Sequence, residues 1–267
     1  MLTENKDINV SLQGHVGRVE INRPPHNFFD RSLIAQIADA FEEFDADPDC
    51  RAIVLASNGK SFCAGANFGK AADTASSTAE FTEEGFKRRT GALYREGVRL
   101  FRAKKPIIGA IQGAAIGGGL GLSLVSDFRV AAPEARFAAN FAKLGIHPGF
   151  GLTVTLPKVV GQQQANLMFL TGRRLKADEA QAIGLVDMLV PQDELRGAAH
   201  SLAAEIAENA PLAVVSVRTT MRQGLAESVA KATDHELAEQ QWLRATKDAE
   251  EGIRAVDERR QGDFTGE

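Results

Sequence analysis

Two turns made of small residues are the stretches of this chain best suited to chemistry. One is "GAAIGGGLG" at 113–121, between an apolar run and a helical pattern, and the other is "SFCAGANF" at 61–68. Glycine lets the backbone approach a ligand closely, and the first N–H groups of a helix have no partner within the helix. One N–H from each turn could donate to a single oxygen, as in an oxyanion hole. The alternative is that the small residues only permit close packing.

Composition excludes several other classes of function. The 267 residues include 31 Lys and Arg and 35 Asp and Glu, so the net charge is −4, which argues against a nucleic-acid or anionic-membrane partner. No segment has the length or hydrophobicity of a signal peptide or membrane span. Two cysteines form no disulfide framework, and the five histidines have no metal-binding spacing. We expect a reduced, cytoplasmic protein without a metal.

The elements that would carry these turns follow an α/β pattern. Alternation over 8–22 predicts a hairpin, and apolar residues at helical spacing after Asp30 predict a helix capped by that residue. An amphipathic helix is predicted over 79–103. Buried strands are predicted at 51–57, 106–113 and 128–132.

The pattern changes near the C-terminus, where only helices are predicted. We place the change between 192 and 210, and divide the chain into an α/β core, 1–200, and a helical region, 201–267. The helices carry apolar stripes that need a surface to cover them. Packing on a second subunit and packing on the chain's own core are equally compatible with the pattern.

Several segments in order resemble the crotonase (enoyl-CoA hydratase/isomerase) superfamily. They are "INRPPHNFF", "FCAGANF", "KPIIGAIQGAAIGGGLGLSLVSDFRVA", "ARFAANFAKLGIHPGFG", "LTGRRLKADEAQAIGLVDMLVP" and "EGIRAVDERRQGDF". The resemblance covers nearly the whole chain. It implies a spiral of repeated ββα units, a helical C-terminal region that builds a homotrimer or homohexamer, and an acyl-CoA substrate. It implies no tightly bound cofactor, since coenzyme A arrives as part of the substrate.

The resemblance also assigns roles to particular residues. It makes the N–H groups of Ala66 and Gly118 the donors to the thioester oxygen, an arrangement that stabilises an enolate. Arg259 matches a basic residue that reaches the coenzyme A phosphates of a neighbouring subunit in some relatives. The remaining substrate-binding residues that it implies are His26, Ala64, Asn67, Phe68, Gly69, Gly121 and Phe141. Asn67 stands where the family pattern has Asp.

Carboxylates are missing at the positions where the family places them. The hydratase pattern has glutamates at the positions of Gly121 and Phe141, and some isomerases have an acid at the position of Gly149. None of these three residues can move a proton, so we predict that the protein is not a standard hydratase. His147 is the first candidate for an acid or base, with the alternative that it points away from the site. Glu80, Glu83 and Glu84 are weaker candidates, because acids on one helix usually form a solvated face.

Three interpretations remain. The protein could be a lyase- or isomerase-type acyl-CoA enzyme of fatty acid metabolism, an acyl-CoA-binding protein without catalysis, or a C–C bond hydrolase that acts without coenzyme A. We favour the first, because both small-residue turns are intact. The resemblance also predicts room beside Gly121 for a bulkier acyl group, and measurable hydration by a double variant with glutamates at 121 and 141.

Overall fold

The computed structural model describes residues 7–67 and 83–267. A six-stranded sheet forms the first layer, with the strand order β1-β2-β3-β4-β6-β9. β1 and β2 form an antiparallel hairpin, as the alternation predicts, and the other neighbouring strands pair in parallel. The strands are β1 (Ile8–Gln13), β2 (Val16–Ile21), β3 (Ala52–Ser57), β4 (Ile107–Ile111), β6 (Phe128–Ala131) and β9 (Met188–Leu189).

Helix α1 (Arg31–Ala46) begins where the sequence predicts. The Asp30 carboxylate accepts a hydrogen bond from the Leu33 N–H at 2.9 Å, which satisfies one of the free donors of the first turn. The apolar stripe of the helix, including Leu33, Ile37 and Phe41, is buried against the sheet. Helix α2 (Glu83–Phe101) accounts for the described part of the helix predicted over 79–103.

A second, three-stranded sheet was not predicted from the sequence. It consists of β5 (Ala114–Ile116), β7 (Arg136–Ala138) and β8 (Arg174–Lys176), in the order β5-β7-β8. A short helix, α3 (Gly118–Ser123), follows β5 directly. The 3-10 turn Asn140–Leu144 follows β7. Helices α4 (Leu152–Thr171) and α5 (Ala177–Ala182) complete the core. The second sheet therefore places the glycine-rich segment at the point where β5 turns into α3.

Four helices follow β9, and the described part of the C-terminal region contains no strand, as predicted. They are α6 (Leu195–Ala207), α7 (Pro211–Met221), α8 (Leu225–Leu243) and α9 (Lys247–Asp257). Much of this region packs on its own core. Leu195, Ala199 and Ala203 of α6 are buried against β3 and β4, so α6 crosses the predicted division at residue 200.

The other C-terminal helices divide between covered and uncovered surfaces. α8 packs along α2, and α9 packs on the 3-10 turn, where a Cβ built on Gly252 would lie 2.5 Å from the Leu144 carbonyl carbon. Arg218 of α7 forms an ion pair with Asp127 at 2.8 Å. Leu212 and Met221 of the same helix are at least 80% exposed. No helix of the described residues is both long and apolar enough to cross a bilayer.

Candidate active site

The two small-residue turns meet backbone to backbone, as the sequence predicts. The Cys63 N–H donates to the Ala114 carbonyl at 3.0 Å, and the Ile116 N–H donates to the Cys63 carbonyl at 3.0 Å. A Cβ built on Gly119 would lie 1.9 Å from that same Cys63 oxygen, which leaves no space for any side chain. Glycine is therefore required at 119 by the contact between the turns.

The proposed oxyanion donors lie on either side of this contact. Within the described parts of the chain, neither the Ala66 N–H nor the Gly118 N–H donates to a protein acceptor. A Cβ built on Gly65, which has a φ of +80°, would lie 3.3 Å from the Gly118 nitrogen. Ala66 follows Gly65 directly, so the two free donors belong to backbone segments in contact with each other.

Phe29 connects both turns and was not singled out by the sequence. Its N–H donates to the Gly65 carbonyl at 3.0 Å, and its ring covers Gly118, where a Cβ would lie 2.4 Å from the ring. A larger residue at 118 would therefore displace Phe29 before it reached any ligand. The segment "HNFF" gives no sign of these contacts, because Gly65 and Gly118 are distant from Phe29 in sequence.

The segment that carries His26 lies beside the first turn. The Ala64 N–H donates to the His26 carbonyl at 3.0 Å, and His26 Nδ1 lies 3.3 Å from the Ser61 hydroxyl. Asn27 is fully buried with a φ of +51°, and its amide donates to the Asn58 and Ser61 carbonyls at 2.6 and 2.7 Å. Asn27 therefore ties the His26 loop to the strand end before the turn.

Aromatic rings lie near the two positions, 121 and 141, where the family pattern has glutamates. The Phe141 ring is within 3.6 Å of a Cβ built on Gly117. A Cβ built on Gly121 would lie 2.9 Å from the Phe150 ring, and Phe150 is almost completely buried. The prediction of free room beside Gly121 is wrong, because the Phe150 ring occupies that space.

Position 149 is enclosed in the same way by polar side chains. A Cβ built on Gly149 would lie 2.0 Å from the Tyr94 hydroxyl and 2.6 Å from the Gln240 amide nitrogen. The hydroxyl donates to Gln240 Oε1 at 3.0 Å. Burial raises the pKa of Tyr94, which keeps the phenol neutral.

Helix α8 holds the segment 147–153 in place. The Glu236 carboxylate accepts from the Gly151 N–H at 2.8 Å, and from the Thr153 N–H and hydroxyl at 3.1 and 2.7 Å. Gln240 donates to the His147 carbonyl at 2.9 Å. Burial raises the pKa of Glu236, although these hydrogen bonds and the nearby His147 lower it in part. The carboxylate caps the N-terminus of α4 from a distant part of the chain.

The structure does not bring every candidate to the turns. The His147 ring packs edge-on against His235 at 5.8 Å between centroids, and its Nδ1 lies 2.8 Å from the Pro148 carbonyl. These contacts point to α8, and no contact of His147 with either turn is found among the described residues. Arg259 is exposed just after α9, with a φ of +58°.

Other candidates are inert, exposed or outside the described residues. Burial raises the pKa of the Cys63 thiol to about 12, so this cysteine is a packed small residue and not a nucleophile. Glu84 is exposed, and Asn67 is exposed beside Ala66. Phe68, Gly69 and Glu80 lie outside the described residues, and only the backbone of Glu83 is placed. The described residues contain no cluster of His, Cys, Asp and Glu that could hold a metal.

The family model for enoyl-CoA hydratase/isomerase matches residues 11–267. The chain belongs to the enoyl-CoA hydratase/isomerase family. The crotonase resemblance inferred from the motifs is thereby confirmed, as is the α/β fold with its helical C-terminal region.

Individual relatives agree with the family. A carnitinyl-CoA dehydratase of Escherichia coli O157:H7 is 33% identical and covers 96% of this chain and 97% of its own length. An enoyl-CoA hydratase/isomerase structure from Pseudoalteromonas atlantica T6c superimposes with a TM-score of 0.83 at 31% identity, covering 97% of this chain and all of the other. An enoyl-CoA hydratase structure from Mycobacterium avium subsp. paratuberculosis K-10 has a TM-score of 0.81 at 27% identity, with coverage of 97% and 98%.

Proposed function

We propose that this family member is an enzyme that binds an acyl-CoA thioester and stabilises its enolate. The observation that carries the proposal is the pair of unpartnered N–H groups, Ala66 and Gly118, on turns whose backbones touch. Two fixed backbone donors are suited to an oxygen that gains negative charge. Coenzyme A is part of the substrate, and the proposal needs no other cofactor.

The reaction that we propose is not standard hydration. General acid–base addition of water needs ionisable groups close to the reacting carbons. Phenyl rings of Phe141 and Phe150 surround the glycine segment instead, and Gly121 contributes no group. Relatives are named carnitinyl-CoA dehydratase, and a dehydratase is a lyase by class, so we propose lyase- or isomerase-type chemistry of unspecified substrate. His147 stays our candidate for the proton carrier.

Assembly is a second part of the proposal. The exposed apolar residues on α7, including Leu212 and Met221, have no cover within the described part of the chain. We propose that they pack against other copies in a homotrimer or homohexamer, where the exposed Arg259 could reach a neighbouring coenzyme A phosphate. Light scattering at micromolar concentration should give the trimer or hexamer mass, and a stable monomer would contradict this part.

The thioester carbonyl provides the direct test of the oxyanion site. Isothermal titration calorimetry should compare butyryl-CoA with S-butyl-CoA, a thioether that lacks only the carbonyl oxygen. Two hydrogen bonds are worth about 1–3 kcal/mol together, so the thioether should bind roughly 5- to 150-fold more weakly. Equal affinity for the two ligands would contradict a role for Ala66 and Gly118 as donors.

Catalysis is separated from binding by isotope exchange. Formation of an enolate should exchange the α-protons of butyryl-CoA in D2O, and mass spectrometry should detect the exchange only when the protein is present. Carbonyl-dependent binding without exchange would favour the acyl-CoA-binding protein over the enzyme. Absence of binding by any acyl-CoA would favour the C–C bond hydrolase that acts without coenzyme A.

A further inference from the structure

Phe150 lies against the same short helix, α3, that carries the proposed donor Gly118. Gly118 and Gly121 are three residues apart on α3, so they lie on one face of that helix, about 4.5 Å apart along its axis. The Phe150 ring covers Gly121, and the Phe29 ring covers Gly118. The two ring centroids are 5.1 Å apart, so they form one continuous apolar surface along this face.

The backbone at Phe150 is held in a conformation that a phenylalanine does not choose alone. Its φ is +62°, in the left-handed region that disfavours side chains larger than hydrogen. Such conformations persist only when the surroundings impose them. Glu236 accepts from the Gly151 N–H, Gln240 donates to the His147 carbonyl, and the Tyr94 hydroxyl donates to Gln240.

The holding side chains come from two different helices. Tyr94 belongs to α2, whereas Glu236 and Gln240 lie one turn apart on α8. Tyr94 and Glu236 are both buried, and the Tyr94 hydroxyl donates to Gln240, which joins α2 to α8 at this segment. Buried hydrogen bonds therefore hold the backbone on both sides of Phe150, and its ring packs between Gly97 of α2 and Gly121 of α3.

We propose that Phe150 is the specificity-determining residue of the acyl site, which it closes beside Gly121 and restricts to short apolar acyl groups. Tyr94, Glu236 and Gln240 are positioning residues that hold the ring there. The inference rests on the proposed binding of the thioester at Ala66 and Gly118, and it adds the class of acyl group. Longer chains are excluded because the space beyond the first turn of α3 is occupied by the ring.

The test compares affinities for saturated acyl-CoA esters of different lengths. Wild-type protein should bind butyryl-CoA at least about tenfold more tightly than octanoyl-CoA. A tenfold ratio corresponds to the transfer free energy of fewer than two buried methylene groups. Phe150→Leu keeps a side chain at the same backbone angle but shortens it, so the ratio should fall toward one. Affinity for acetyl-CoA should be unchanged, because its acyl group ends before Gly121.

Phe41→Leu is the matched control. Phe41 is a fully buried phenylalanine of α1, so its replacement also removes part of a core ring but leaves α3 untouched. The control should keep the wild-type chain-length ratio even if its stability falls. An unchanged ratio in Phe150→Leu, or an equal change in Phe41→Leu, would overturn the proposal.

Tyr94→Phe tests the positioning role. This variant keeps the ring of residue 94 and removes the hydroxyl that donates to Gln240, which in turn holds the His147 carbonyl. The butyryl-to-octanoyl ratio should therefore move in the same direction as in Phe150→Leu, by a smaller factor. A wild-type ratio in Tyr94→Phe would refute that role. If no acyl-CoA binds to the wild-type protein, the proposed function fails as well, whereas normal binding with an unchanged ratio defeats only the assignment of Phe150.

Discussion

The two halves of the candidate site depend on different parts of the polypeptide. Around Ala66 and Gly118 the useful groups are backbone N–H donors, and the side chains matter only because they are small enough to let the turns touch. Around Gly117 and Gly121 the surroundings are set by large side chains, Phe141 at the first and Phe150 at the second. A backbone N–H donor is kept after any substitution that preserves the shape of the turn. Proton transfer, in contrast, is lost when the one side chain that carries the proton is replaced. A family can thus keep its binding chemistry while its reaction changes.

The largest expected effect is on the hydration rate, which depends on the aromatic half of the site and not on the backbone donors alone. Wild-type protein should hydrate crotonyl-CoA undetectably, because each positioned acid–base group typically contributes about 10²–10⁴-fold and both family glutamates are absent. Loss of the enoyl-thioester absorbance measures the rate. The double variant Gly121→Glu with Phe141→Glu should also stay inactive, contrary to the sequence-based expectation, because Phe150 lies 2.9 Å from the new Cβ.

Adding Phe150→Gly should change that outcome. Glycine suits the φ of +62° and removes the ring, so the triple variant has space for both carboxylates and a water. We expect measurable hydration in the triple variant only, provided that it remains folded by circular dichroism. Rapid hydration by the unmodified protein would show that the aromatic half of the site is not what we describe.

The contact between the turns is tested by Gly119→Ala. Its methyl group would meet the Cys63 carbonyl at 1.9 Å, so the turns must separate, and we expect a loss of about 3–5 kcal/mol in the free energy of unfolding. Gly197→Ala, on α6 with no atom within 4 Å of its Cβ, is the control and should gain about 0.5–1 kcal/mol. Urea denaturation measures both, and equal effects would refute the packing argument.

A smaller effect is expected from Asn27→Asp. The substitution keeps the shape but replaces the amide that donates to the Asn58 and Ser61 carbonyls, leaving a buried carboxylate that faces two acceptors. We expect a loss of about 2–4 kcal/mol at neutral pH. Asn209→Asp, exposed at the end of α6, should change stability by less than about 0.5 kcal/mol. A neutral result for Asn27→Asp would mean that the His26 loop is held by other contacts.

The smallest effect is a pH dependence from Glu236. Burial raises its folded-state pKa above the ordinary 4.5, so the folded protein binds this proton more tightly than the unfolded chain. The free energy of unfolding should therefore fall as the pH rises from about 4.5 through the raised pKa, and stay level above it. Glu236→Gln should remove this decline, and Asp234→Asn, exposed on the same helix, should retain it. An identical slope in wild type and Glu236→Gln would contradict the assignment.

The sequence was informative where structure is local. The hairpin β1–β2 and the Asp30 cap of α1 follow from neighbouring residues, and the paired glycine turns follow from their own small residues. The three-residue strands β5, β7 and β8 are too short to show a period. Glu236 looks like any charged residue of a solvated helix, because its partners at 151 and 153 are distant in sequence. Contacts of that kind, between residues distant in sequence, determine the structure of the aromatic half of the site.

The hold of α8 on the segment 147–153 has a consequence for synthesis on the ribosome. Chains emerge N-terminus first, and early parts begin to fold before late parts exist. The glycine turns can pair once residue 119 has emerged, but Glu236 and Gln240 belong to the final stretch of translation. During much of its synthesis the nascent chain therefore lacks the α8 residues that hold the segment around Phe150. A product truncated before α8 would expose that apolar segment to chaperones and proteases.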